Sequence, residues 1–285
     1  MPNLRPMTIP ILRPMTNADI EPASAAILAD DWGDRRAWFA YVSGSAPARA
    51  FVAEAHDGSI VGTSVAAIHG PVGWIGTIWV RPDQRGQGLG RALTIAAIDA
   101  AEAASCRTLV LVATDAGRPV YERLGFTVQT WYRTMERAGR DGQPPPEVRP
   151  FRAADLGPML ALDRLATGED RGHALAAFAG AAATQVLADS ALEAPRGFVV
   201  RAPWGGGATV SATVGDAMTL LDARRVAAGP TKVVRCGIVL ENEAGAAALE
   251  AAGWTEAWRA PRLVRGEPLD WHPEMLWGQF NHAMG

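Results

Sequence analysis

Two short phrases occur twice in this chain, in the same order, and they constrain its fold more than any other feature. Arg13-Pro14-Met15-Thr16-Asn17-Ala18-Asp19-Ile20 is echoed by Arg149-Pro150-Phe151-Arg152-Ala153-Ala154-Asp155-Leu156. In each, a short strand ends at Arg-Pro and an Asp is placed to cap a helix. Later, Tyr121-Glu122-Arg123-Leu124-Gly125-Phe126-Thr127 is answered by Leu249-Glu250-Ala251-Ala252-Gly253-Trp254-Thr255. Both read as the end of a short helix, a Gly beyond it, and an aromatic opening a strand. Two echoes in order predict a duplicated unit. The length of 285 residues suits two domains. Between them, Gly139 to Pro146 begins with glycine and ends in three prolines, as a linker does. The expected division is residues 1–138, a linker at 139–146, and residues 147–285.

Within the first half, β-rich and helical patterns alternate. Ala50 to Ala55 and Ile60 to Ile68 are strands joined by the hairpin signal Asp57-Gly58. Trp74 to Val80 is another strand, and Leu89 to Ala104 has helical spacing. Thr108 to Thr114 is a continuous apolar run suited to a central strand. A short helix around Pro119 to Leu124 and a strand from Thr127 to Met135 follow. The second half repeats this loosely, with strands at Phe198–Ala202, Thr209–Val214 and Val233–Leu240 and helices at Asp216–Val226 and Glu243–Ala252. The fold class is α/β (α+β), a mixed sheet flanked by helices in each half.

The net charge of −3 and pI near 6.0 leave no basic footprint for nucleic acid and no attraction to an anionic membrane. Two cysteines, Cys106 and Cys236, support neither a disulfide framework nor a cysteine-based zinc site, so no metal is expected. Met1 to Pro6 lack the apolar core of a signal peptide, and no run suits a membrane span. A reduced, cytoplasmic protein is the expectation.

The chemistry concentrates in Ile78-Trp79-Val80-Arg81-Pro82-Asp83-Gln84-Arg85-Gly86-Gln87-Gly88-Leu89-Gly90-Arg91. A strand runs into a loop with glycines at alternate positions, then into a long helix. Glycine lets the backbone approach a ligand closely. The unpaired N–H groups of a first helical turn, at the positive end of the helix dipole, hold anions such as pyrophosphate. The spacing is neither G-x-G-x-x-G nor G-K-[ST].

Arg85-x-x-Gly88-x-Gly90 fits the R-x-x-G-x-G/A signature of the GNAT acetyltransferases, and Tyr121 to Phe126 resembles that family's Y-x-x-x-G-F segment. The resemblance covers about Ile11 to Met135. It implies two GNAT-like domains, with acetyl-CoA as co-substrate of the first. Its pyrophosphate would lie on the amides of Arg85, Gly86, Gln87, Gly88, Leu89, Gly90 and Arg91. Its pantetheine arm would pair with backbone near Ile78 and Val80, like an added strand. The Arg85 side chain would be partly structural. The oxyanion donor would be a backbone N–H near Val80. Tyr121 stands where the family places the acid that reprotonates the leaving thiolate, whose pKa is about 8.5.

Many family members carry Glu on the strand before the loop. Trp74 to Val80 contains no carboxylate, so the base is not legible. Glu54, His56 and His69 are candidates by position only, and a water relay is equally open. In GNAT-like proteins the first two helices wall the acceptor pocket. Here that region holds Asp31, Trp32 and Asp34, acids beside an aromatic that could hold a cationic amine; the alternative is a capped, solvated loop. The second half has Val214-Gly215-Asp216 at its corresponding loop, and Asp216 would repel a pyrophosphate. That half reads as a degenerate copy resembling the C-terminal domain of bacterial tandem GNAT proteins, in Leu165 to Arg171 and in the tail from Trp254. Its Trp258, Trp271, Trp277 and Phe280 would close the acceptor pocket or form an inter-domain core, and a terminal carboxylate at Gly285 is a further candidate base.

The expected function is acetyl transfer from acetyl-CoA to a primary amine of a small molecule by direct attack. A non-catalytic coenzyme A-binding module and a protein or peptide N-acetyltransferase are the alternatives. The expected partners are the amine acceptor and a second copy in a homodimer, without nucleic acid or membrane.

Overall fold

The alternation of patterns becomes thirteen strands and eight helices among the described residues once the chain is folded, and the clearest repeat signals sit at matching places. The computed structural model describes residues 10–44, 47–180, 182–188 and 194–285, so Met1 to Pro6 lie outside it. The first half runs β1 (Ile11–Pro14), α1 (Ile20–Leu28), α2 (Arg36–Gly44), β2 (Ala48–Glu54), β3 (Ile60–His69), β4 (Val72–Val80), α3 (Leu89–Ala103), β5 (Thr108–Val112), α4 (Arg118–Glu122) and β6 (Thr127–Ala138). The second runs β7 (Val148–Pro150), α5 (Leu156–Thr167), α6 (Gly172–Phe178), β8 (Thr184–Ala188), β9 (Pro195–Arg201), β10 (Gly207–Ser211), α7 (Val214–Ala228), β11 (Val233–Val239), α8 (Glu243–Ala251) and β12 (Thr255–Gly266). It then adds β13 (Leu276–Gly278), which has no counterpart in the first half.

The Arg-Pro phrase builds the same clasp twice. Arg13 donates two bonds of 2.7 Å to Asp19, which also accepts from the Thr16 amide at 2.7 Å. Arg149 donates two of 2.8 Å to Asp155, which accepts from the Arg152 amide at 2.7 Å. The aspartates make no side-chain cap to α1 or α5. Their carboxylates are spent on holding the first strand of each half against the following turn, which corrects the sequence assignment of a helix cap. The second phrase behaves as expected: Gly125 and Gly253 take φ of 86° and 78°, the left-handed region open to glycine.

The strands that follow those glycines do not stay in their own halves. The larger sheet has the order β1-β2-β3-β4-β5-β12-β6-β11. Strand β12 pairs antiparallel with β5, from Arg262 opposite Val112 to Gly266 opposite Thr108. Strand β6 lies between β12 and β11, with Thr134 opposite Gly237. Each half therefore lends its last long strand to the other, and a boundary at residue 138 cuts a strand from both its neighbours. The linker is also held, since Gly139 and Arg140 donate their amides to Lys232 and Arg225 carbonyls at 2.8 and 3.0 Å.

The smaller sheet has the order β13-β10-β9-β8-β7. Strands β10 and β11 are not paired with each other; β13 bonds to β10, and Gln279 just after it donates to the Gly237 carbonyl at 3.0 Å. The chain's own tail thus fills the gap between these two strands. A buried ionic cluster ties the halves. Arg171 donates to Asp163 at 2.5 and 3.0 Å. The Arg262 guanidinium lies 4.4 Å from the Trp271 ring centre and 4.0 Å from Glu169, and Glu169 accepts from the Trp74 indole at 3.0 Å. The two arginines and two acids balance, as buried charges must. No helix among the described residues is long and apolar enough to cross a membrane.

Candidate active site

Strand β4 carries one residue too many for its partner. Thr63 faces Trp79 and Val65 faces Gly76, so the ladder with β3 shifts between them. A bulge of this kind bends a strand and raises its twist. Thr77 sits in it at φ 51°, a conformation that costs a non-glycine residue about 1–3 kcal/mol. Two bonds hold it there: Thr63 Oγ1 donates to the Thr77 carbonyl at 2.8 Å, and Trp38 Nε1 donates to Thr77 Oγ1 at 2.9 Å. On its other edge β4 runs parallel to β5 only from Val72 to Trp74. Past the bulge the two strands part.

The parting exposes main-chain groups. The Arg81 amide donates to the Val61 carbonyl at 2.9 Å, and Gly62 is opposite Val80. Alternate residues of an antiparallel strand point their amides to opposite edges. The amides of Val80 and Ile78 therefore face the gap.

The glycine loop follows directly. Gly86 and Gly88 have φ of 76° and 83°, and a Cβ on either would meet open space. Gly88 precedes the first residue of α3 with no side-chain cap. None of the amides from Gly86 through Arg91 has an acceptor among the described residues. Six successive unpaired donors at a helix start form a strong anion-binding arrangement. The loop is stiffened from beneath. Arg85 Nε donates to the Val80 carbonyl at 2.8 Å, and its other end pairs with Asp30, which also accepts from Trp79 Nε1 at 2.8 Å. The Arg85 side chain, half exposed, is held along the loop by these two bonds, and the loop amides are left free. The second half lacks all of this: Thr213 caps α7 by accepting from the Asp216 amide at 3.2 Å, and Asp216 pairs with Arg196 at 3.2 Å.

Gap, loop and second half enclose one cavity of about 1070 Å³, lined by Ile78, Val80, Arg85 and Gly90 at one side. Tyr121 on α4 also lines it, 8% exposed, and burial pushes its phenol up to about 12. Trp32 lines the cavity, whereas Asp31 and Asp34 do not. Asp31 takes φ 58° where α1 ends, and Asp34 accepts from the Arg36 amide at 2.9 Å ahead of α2. These acids shape a solvated turn, which corrects their assignment to the acceptor pocket. The charged side chain this segment sends into the cavity is that of Arg35.

None of the candidate bases lines the cavity. Glu54 pairs with Arg13 at 2.6 Å, and His56 is exposed beside the Asp57-Gly58 turn. His69 is buried, with Nε2 2.9 Å from the Met284 carbonyl, so this nitrogen carries the proton. Gly285 is buried against Trp74, with an oxygen accepting from the Phe280 amide at 2.8 Å. The tail instead brings in His282, which sequence reasoning missed because its place beside β4 depends on the whole second half. The neighbouring Ala283 touches Gly76 so closely that a Cβ there would lie 2.3 Å from its own. His282 lies against Trp258, ring centres 4.8 Å apart, and burial lowers its pKa to about 4. No Asp or Glu lines this cavity among the described residues.

Acid should destabilise the protein through its histidines. Burial foremost, with His173 and Arg171, holds His69 well below 6.5, and burial lowers His282 to about 4. As pH falls below about 6.5 the unfolded chain takes up protons that these native imidazoles refuse, so folding stability falls. Thermal melts should show a lower Tm at pH 5 than at pH 7, with a smaller difference in His69→Gln. A Tm that rises on acidification would contradict this account.

The profile of the acetyltransferase (GNAT) family matches residues 14–126. Among solved structures, a Pyrococcus horikoshii protein provisionally named an acetyltransferase superposes with TM-score 0.82 at 18% identity, over 100% of this chain and 99% of that one. A GCN5-related N-acetyltransferase from Sphaerobacter thermophilus superposes with TM-score 0.64 at 16% identity, covering 93% of this chain and 100% of its own. A tandem GNAT protein from the clavulanic acid biosynthesis pathway covers 91% of this chain and 99% of its own, at TM-score 0.61 and 16% identity.

Proposed function

We propose that this chain, whose residues 14–126 match the acetyltransferase (GNAT) family and whose fold is shared with a tandem GNAT protein, transfers acetyl from acetyl-CoA to the primary amine of a small molecule by direct attack. The observation that carries this reading is the run of unpaired amides from Gly86 to Arg91, beside a parted β4–β5 edge, opening into the cavity that Tyr121 lines. The loop amides hold the pyrophosphate. Ile78 and Val80 offer amides to the pantetheine arm, and a donor at this edge faces the oxyanion that forms on the thioester carbonyl.

The nucleophile must be a neutral amine, and an alkylammonium has a pKa near 10.4. A lining rich in arginine and free of carboxylates disfavours the charged form of a bound amine, so the wall itself promotes proton loss. His282, uncharged at neutral pH and lining the cavity, passes that proton on to solvent without keeping it. Attack then forms the C–N bond, the C–S bond breaks, and Tyr121 gives its proton to the departing sulfur. The second half closes the acceptor side, while β13 occupies the gap in which a second coenzyme would lie.

Calorimetry with acetyl-CoA tests the binding step. Gly88→Val places a branched side chain at φ 83° and crowds the space before the amides. Affinity should fall at least hundredfold; unchanged affinity would remove the loop from the site. For proton removal, His282→Ala should lower kcat about 10²- to 10⁴-fold with acetyl-CoA affinity retained. A kcat within twofold of wild type would assign the task to solvent alone.

A further inference from the structure

The cavity does not end at the glycine loop. Its floor crosses the exchanged strands, through Ala260 and Trp258 on β12 and Thr134 on β6, to Cys236 and Gly237 on β11. Strand β11 stands three places from β5 in the sheet. At about 4.8 Å per place the two ends lie about 14 Å apart.

At the β11 end, α7 sends Arg224 into the cavity. Its Nη1 is shut off from solvent and has no acceptor, and no carboxylate pairs with it among the described residues. Arg201, at the end of β9, lines the cavity close enough to Arg224 to repel it, and no carboxylate among the described residues lines the cavity beside them. Burial, together with repulsion from Arg201, lowers the Arg224 pKa. Gln185 on β8 joins them with a buried Oε1 that no donor reaches. The amide's two ends are interchangeable by rotation, so it offers a donor as readily. The Arg224 Nη1 and the Gln185 amide, shut off from water and left without partners, are costly unless a ligand supplies what they lack, and the solvated Arg201 adds a second positive charge beside them. Guanidinium forks match carboxylate and phosphate oxygens.

Resting on the proposed transfer, we infer that the acceptor is an extended amine whose far end carries a carboxylate or phosphate, bound by Arg201, Arg224 and Gln185 at the β11 end of the cavity, three strands from the β5 end where Tyr121 works. This anion site belongs to the second half, which gives that half a task although its own coenzyme gap is filled. The coenzyme's pyrophosphate has its place at Gly86 to Arg91, so it does not account for these arginines.

The test uses ω-aminoalkanoic acids of graded length, the matching ω-aminoalkyl phosphates and the matching n-alkylamines as probes. Binding is measured by calorimetry on the full chain, with and without coenzyme A, and thiol release is measured separately. Anionic probes long enough to span the cavity should bind at least tenfold more tightly than the alkylamine of equal length, and the carboxylate and phosphate arms tell which anion is preferred. Arg224→Met and Arg201→Met should each reduce that preference to less than twofold while leaving acetyl-CoA affinity within twofold. The exposed Arg201 keeps the test decisive should the Arg224 variant fold poorly. Equal binding of charged and neutral probes, or a preference surviving in both variants, overturns the inference. Anion-dependent binding without thiol release from any probe leaves the inference standing and removes the proposed transfer.

Discussion

Tyr121→Phe should lower kcat about 10²- to 10⁴-fold while acetyl-CoA affinity stays within twofold. The phenol is buried at the cavity wall, and its pKa of about 12 keeps it protonated at any working pH. A proton held that firmly would pass poorly to a thiolate in water, where the acceptor's pKa is about 8.5. The cavity changes the comparison. The Cys236 thiol in the same lining is itself raised to about 12 by burial. Burial raises the basicity of a thiolate in the same direction wherever water is excluded, which narrows the gap between the departing sulfur and Tyr121. Removing only the hydroxyl leaves the ring's packing against Phe126 intact. A variant with unchanged kcat would show that water or the acceptor supplies the proton. A variant with weakened coenzyme binding and unchanged kcat would make Tyr121 a wall residue.

Residues 10–138 expressed alone should not give a stable coenzyme-binding domain. The first half looks complete in sequence, yet removal of the second half strips β12 from β5 and leaves β6 without either neighbour. It also takes Phe280, Ala283 and Met284 out of the core that holds Trp38 and Trp74. The bared β5 edge and the freed β6 would be open to pairing with other chains. Circular dichroism should show no cooperative melt for the fragment, and gel filtration should show aggregates. A soluble monomer that melts cooperatively and binds acetyl-CoA would mean that β6 can take the place of β12 beside β5.

Much of the site is legible without coordinates because it is built from local backbone chemistry. The phrase from Arg85 to Arg91 dictates a strand, a glycine bend and a helix start, and the helix leaves its first amides free wherever it is placed. Tyr121 is singled out only through the resemblance carried by Tyr121 to Phe126, on the short helix ahead of Gly125. The acceptor side behaves differently. Asp31 and Asp34 have a plausible composition for holding an amine, but one ends a helix and the other precedes one. Arg35, between them and Arg36, is the residue that reaches the cavity, and nothing in a run of charges tells which of them turns inward. His282 and Arg224 are further from reach, since neither lies near Tyr121 in sequence.

The amino-acid order by itself determined the duplicated plan, the α/β class of each half and the glycine loop that opens α3. Each depends on residues within a few positions of one another, where dihedral preference and hydrogen-bond geometry suffice. Only the tertiary structure decided that β6 and β12 change places, that the tail plugs one gap and lines the other, and that arginines from both halves line one cavity with no carboxylate among the described residues. Strand edges accept any partner of suitable length, so pairing between halves is settled by which arrangement buries the most apolar surface and leaves the fewest polar groups unmatched.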